Sequence, residues 1–144
     1  MKVPPAAVHV PEEDRAWILA RIDECLQSGR LTLGSNGAAL EEAFAGVCQV
    51  RYAIAVNSGT SALEIILRAI GVEGREVVVP TNTFYATGGA VLHAGGHIRF
   101  ADCEPQSFAL DVDSLRAVLG PKTGAVIVVH IGGIITPRIH DIRA

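Results

Sequence analysis

Four short apolar runs, at 52–56, 76–79, 97–101 and 125–129, alternate with stretches whose apolar residues recur at helical spacing. Runs this short and continuous read as buried strands. Strands that alternate with helices imply an α/β fold, a mostly parallel sheet with helices on both faces. That alternation limits the architecture more than any other feature of the chain.

The helical stretches carry their own punctuation. Pro11, followed by Glu12, Glu13 and Asp14, opens a helix that runs through Trp17, Ile18, Ile22 and Leu26 and stops at Gly29. After the loop RLTLGSN, Ser35 or Asn36 is expected to cap a second helix, in which Leu40, Phe44 and Val47 fall at i, i+4, i+7. Ala62, Leu63, Ile66, Leu67 and Ile70 mark a third helix ending at Gly71. Pro80 stops the second strand, and Phe84 to His93 reads as a helix closed by Gly95 and Gly96. Asp113 is expected to cap a short helix through Leu119, and residues 138–144 read as the start of another. No strand follows, so the sheet would keep an unfinished edge, and the chain is expected to be the first part of a larger domain.

Composition removes several classes of function. With 144 residues, 49% of them hydrophobic, the chain can bury a core and is not disordered. Twelve Lys and Arg stand against fifteen Asp and Glu, a net charge of −3, and no basic run exists to contact nucleic-acid phosphates. Cys25, Cys48 and Cys103 are widely spaced and form no CxxC pair, which reads as reduced thiols in a cytoplasmic protein. The N-terminus, MKVPPAAVHVPEED, is no secretory signal. The longest stretch free of charge, residues 77–98, contains Pro80 and four glycines and does not read as a membrane span. His93 and His97 lie four apart, but Gly95 and Gly96 would break a helix between them, so no metal pair is read there.

The strongest local feature is the segment VNSGTSAL at 56–63. A buried run passes through a small polar turn directly into a helix. Such a turn offers free backbone N–H groups, the hydroxyls of Ser58, Thr60 and Ser61, and the positive end of a helix dipole, a natural seat for phosphate. Gly59 would let an anion approach the backbone closely. On local physics alone the same residues read first as a simple serine N-cap. Neither a Walker loop nor a GxGxxG fingerprint occurs. Ligands of open α/β sheets gather at the carboxyl ends of the strands. Asn57–Ser61, Pro80–Tyr85, Asp102–Cys103 and His130–Gly133 all follow strands in that sense.

Three segments carry a family resemblance: GRLTLGSNGAALEEAFAGVCQVRYAIAVNSGTSALEIILRAIG, EVVVPTNTFYATGGAVLHAGGHIRFADCEPQSFALDVDSL and KTGAVIVVHIGG. In this order they resemble the DegT/DnrJ/EryC1/StrS group, sugar aminotransferases that depend on pyridoxal 5'-phosphate. The resemblance implies part of the large domain of the type I (aspartate aminotransferase) fold, with residues 1–144 as its N-terminal portion. It implies that Ser58, Gly59, Thr60 and Ser61 hold the cofactor phosphate and that Phe84 stacks on the pyridine ring. It places Gly29, Arg30, Leu31, Thr32 and His130 near a nucleotide-sugar substrate. For His130 a structural hydrogen bond at a strand end is an equal reading. Asp102 reads as structural.

Amino transfer also needs a lysine to carry the cofactor and a carboxylate facing its ring nitrogen. In the family both lie beyond the HIGG segment, outside these residues. The lysines here are Lys2, near the terminus, and Lys122, expected at the end of the sheet opposite the phosphate turn. The resemblance thus implies a fragment, truncated before the catalytic lysine and lacking the C-terminal small domain, inactive alone. Its expected function is aminotransfer to nucleotide-linked keto-sugars, with an amino donor, in surface polysaccharide or antibiotic-sugar biosynthesis. Two alternatives stay open: a non-catalytic phosphate- or nucleotide-sugar-binding remnant, and the dehydratase branch of the same family. A homo-oligomer is expected, because the exposed face needs cover.

Overall fold

The computed structural model describes residues 7–143, so Lys2 and Ala144 lie outside the described residues. Two compact units divide between Ala55 and Val56.

The first unit holds two helices, α1 (Glu12–Ser28) and α2 (Ser35–Cys48). Three acids occupy the first turn of α1, where the positive helix end favours them, and Gly29 closes the helix at φ 67°. The expected cap of α2 is corrected. Gly34 is the N-cap, with no side-chain cap, and Ser35 is already helical. The Asn36 amide instead donates to Cys25 Sγ of α1 at 3.3 Å, a tie between the helices that outranks a local cap. Neither helix buries a residue, and Trp17, Leu26, Leu40 and Phe44 are all more than half exposed.

The run at 52–56 is a second correction. It was expected as a buried strand, yet it pairs with nothing among the described residues, and Tyr52 and Ile54 are 78% and 80% exposed. A strand exists only through a neighbour's N–H and C=O groups. Apolar content alone does not supply that neighbour.

The second unit is a three-stranded parallel sheet in the order β2-β1-β3, with β1 at Glu76–Pro80, β2 at His97–Ala101 and β3 at Thr123–Val126. β3 starts two residues before the expected run. The central strand, β1, is covered on both faces, which its continuous Val77-Val78-Val79 run anticipates. Val77 and Val79 pack with Leu67 of α3 (Gly59–Ala69) and with Ala90 and Val91 of α4 (Tyr85–His93). Val78 points the other way, to Ala101, Leu110 and Leu115 of α5 (Val112–Val118), with Ile142 of α6 (Ile139–Arg143) packed beside them. Helices therefore lie on both faces of the sheet.

The cap of α5 is Asp111, whose side chain accepts the Ser114 N–H, and not Asp113 as its spacing suggested. Starting the helix at Val112 buries both Val112 and Leu115. It leaves Asp113 on the outer face, paired with Arg116 at 3.0 Å.

Candidate functional site

Parallel strands put all their carboxyl ends on one edge, and the chain leaves that edge at Thr81 and Asp102. Thr81 extends the ladder by donating its N–H to the Ala101 carbonyl at 3.0 Å. Its hydroxyl reaches Asp102 Oδ1 at 3.4 Å and Cys103 Sγ at 3.6 Å. The chain then turns into α4 through Phe84, the extended N-cap of that helix. The Phe84 ring is 66% exposed and lies 4.4 Å from Tyr85, tilted by 50°.

α3 reaches the same edge. Arg68 near its end donates to the His93 carbonyl at the end of α4, and Glu64 Oε2 lies 3.6 Å from His93 Nδ1. The two helices thus run side by side in one sense, and the first turn of α3 faces the edge from which α4 departs.

That first turn is built around Ser58, extended at φ −161° and ψ 158°. Its side chain accepts the Ser61 N–H at 3.1 Å and its hydroxyl donates to Ser61 Oγ at 3.0 Å. Capping therefore satisfies one orphan N–H of the helix and leaves two. The N–H groups of Gly59 and Thr60 have no acceptor among the described residues. A Cβ on Gly59 would meet nothing within 4 Å. The serine-cap and phosphate readings of this turn are thus compatible: Ser58 holds the turn in shape while the donors before Ser61 stay free. Two free N–H groups, the Thr60 hydroxyl and the helix dipole together fit a phosphate, and the exposed Phe84 ring fits an aromatic cofactor face. The fit extends to the phosphate and the ring. No lysine stands at this edge among the described residues. The Lys122 carbonyl accepts the Glu76 N–H at the start of β1, so this lysine sits at the amino edge, about 16 Å away along a five-residue strand.

The remaining sequence candidates fall elsewhere. His130 precedes a single 3-10 turn, Ile131–Gly133, and its Nδ1 accepts the N–H of buried Thr136 at 3.3 Å. One ring nitrogen is thereby committed to structure. Gly29, Arg30, Leu31 and Thr32 belong to the first unit, where Arg30, Leu31 and Thr32 line a cavity of about 410 Å³ together with Glu24, Ser28 and Asn36. The contacts of Asn82 and Cys103 were missed by the sequence reading. Their one trace there is that both residues follow the ends of what proved to be adjacent strands.

Residues 12–144 match the model of the DegT/DnrJ/EryC1/StrS aminotransferase family. The chain is 39% identical over 121 residues to the UDP-N-acetyl-3-dehydro-alpha-D-glucosamine 3-aminotransferase of Acidithiobacillus ferrooxidans, covering 83% of this chain and 33% of that protein. Among solved structures, DesV of S. venezuelae superposes with a TM-score of 0.85 at 34% identity, covering 92% of this chain and 36% of the other. NtdA of Bacillus subtilis, solved with bound cofactor PMP, gives 0.80 at 35% identity, over 85% and 28%. The chain spans about a third of the length of the curated relatives it matches. No helix among the described residues is long and apolar enough to cross a membrane.

Proposed function

Because the chain belongs to the DegT/DnrJ/EryC1/StrS aminotransferase family, we propose that it supplies the phosphate seat and aromatic platform of a pyridoxal-phosphate-dependent sugar aminotransferase. The substrate is a nucleotide-linked keto-sugar of surface polysaccharide or antibiotic-sugar biosynthesis, and the setting is cytoplasmic. The observation that carries this reading is the first turn of α3, where Ser58 caps Ser61 and leaves the Gly59 and Thr60 N–H groups to an anion. Bound pyridoxal phosphate supplies an electron sink for the carbon–nitrogen chemistry of amino transfer. The residues of this chain bind and orient. Gly59, Thr60 and Ser61 take the phosphate, with Ser58 shaping their turn, while Phe84 covers one ring face. Gly29, Arg30, Leu31, Thr32 and His130 are assigned to the nucleotide-sugar. The lysine and the ring-nitrogen carboxylate are assigned to the part of the relatives' length that this chain does not span. The placement of Lys122 at the far edge favours a second reading, in which these residues bind phosphate compounds without catalysis.

Titration with pyridoxal phosphate, with absorbance before and after borohydride and then intact mass, tests both readings. Saturable binding without a reducible adduct is the expected result. A stoichiometric reduced adduct on Lys2 or Lys122 would overturn the assignment of the amine elsewhere, and the absence of any binding would remove the phosphate seat.

The unburied helices of the first unit, with Trp17, Leu26 and Phe44 exposed, support an oligomer in solution. Light scattering is expected to give a mass of at least two chains. A monodisperse monomer would count against it.

A further inference from the structure

The ladder between β1 and β2 ends where the chain turns toward Phe84, and a sulfur holds the point of departure. Pro80 pairs with Ala101, and the Thr81 N–H still finds the Ala101 carbonyl at 3.0 Å. The next N–H, that of Asn82, has no carbonyl and donates to Cys103 Sγ at 3.4 Å, while the Thr81 hydroxyl, with one proton to give, lies 3.6 Å from the same sulfur and 3.4 Å from Asp102 Oδ1. Cys103 is itself fixed by a backbone bridge to Leu110, which is 1% exposed. The Asn82 side-chain amide donates to the Phe108 carbonyl at 3.4 Å, so the turn is tied twice to the segment after β2. Beyond the ring, Thr83 and Thr87 share a hydroxyl contact of 2.8 Å, and the Thr87 N–H donates to the Phe84 carbonyl at 3.0 Å. Phe84 thus stands two residues from a sulfur anchor on one side and on a helix-start anchor on the other.

We propose that Cys103 is a positioning residue for the cofactor ring: its sulfur holds the Thr81–Asn82 turn and so sets where the Phe84 platform stands. The inference rests on the function proposed above, which supplies the ring that Phe84 faces. Sulfur suits the place because its radius lets it accept the Asn82 N–H at 3.4 Å with the Thr81 hydroxyl in contact at 3.6 Å. A serine oxygen accepts at about 2.8–3.0 Å and would have to draw the turn inward by about half an ångström. Alanine would leave the part-buried Asn82 N–H without an acceptor.

The test uses the full chain, with amide exchange by NMR and two ligands, pyridoxal phosphate and inorganic phosphate. In Cys103→Ala the Asn82 amide is expected to exchange about tenfold faster, as local opening replaces a held turn. The Phe84–Tyr85 ring contact should weaken in the same spectra. Pyridoxal-phosphate affinity should fall about fivefold, the effect of one lost hydrogen bond, while inorganic phosphate binds nearly as before. Cys103→Ser should recover part of both losses. A merely structural role would weaken the two ligands by the same factor, and that result overturns the proposal, as does unchanged Asn82 exchange in Cys103→Ala. Native pyridoxal-phosphate binding that Cys103→Ala leaves unchanged overturns this inference alone. A native chain that binds none removes the proposed function, and the positioning role with it.

Discussion

Replacing Gly59 with Asp is expected to reduce pyridoxal-phosphate binding by about a hundredfold or more, with the fold left intact. The Gly59 position has no neighbour within 4 Å of an added Cβ and no positive φ, so a side chain enters open space without backbone strain. The first helical position also favours an acid, by about 0.3–1 kcal/mol. The substitution therefore cannot act by melting α3. It acts through charge: a carboxylate about 4 Å from the phosphate repels it by about 4 kcal/mol at an effective dielectric of 20, and solvent at this exposed turn reduces that figure. The carboxylate can also occupy the free Gly59 and Thr60 N–H groups itself. Gly59→Ala adds the Cβ without the charge and is expected to bind within a few-fold of the native chain. Calorimetric titration of both variants, with circular dichroism as the check on helix content, separates these effects. Equal affinity in Gly59→Asp and the native chain would place the phosphate elsewhere.

Leu110→Ala is expected to destabilise the second unit by about 2–5 kcal/mol, the range for removing a fully buried leucine. Leu110 is 1% exposed and sits with Val78, Ala101 and Leu115 on the α5 face of the sheet. Its backbone also bridges to Cys103, so the neighbouring chain has little freedom to close the cavity. Whole-domain stabilities are about 5–15 kcal/mol, which makes this loss a large fraction of the total. With a urea slope of about 1–3 kcal/mol/M, the unfolding midpoint should fall by at least about 0.7 M, or the variant should not fold at all. Ile65→Ala on α3 removes a side chain that is 52% exposed and should shift the midpoint far less. Equal shifts for the two variants would mean that Leu110 is not a core residue of the unit.

Much of this architecture is legible along the chain. Gly29, Gly71 and Gly95 end helices at φ 67°, 74° and 78°, conformations that glycine adopts without penalty, so these boundaries follow from single residues. The Val77-Val78-Val79 run identifies a strand covered on both faces before any partner is known. The turn proposed to seat phosphate is equally local: Ser58, Gly59, Thr60 and Ser61 are consecutive, and a helix start exposes its N–H groups whatever packs behind it. The cap of α5 was not legible: the spacing points to Asp113, whereas the burial of Val112 and Leu115 puts the cap at Asp111.

The sequence by itself determined the kind and order of most elements and the capped turn that opens α3, because helix periodicity, glycine dihedrals and end caps depend on neighbours within a few residues. Only the tertiary structure decided that the 52–56 run lacks a strand partner among the described residues, that β1 lies between β2 and β3, and that Asn82 finds its acceptor in Cys103, 21 residues further along. Strand pairing, register and burial are made by groups that meet only when distant parts of the chain are brought together, and local sequence carries no record of which groups those will be.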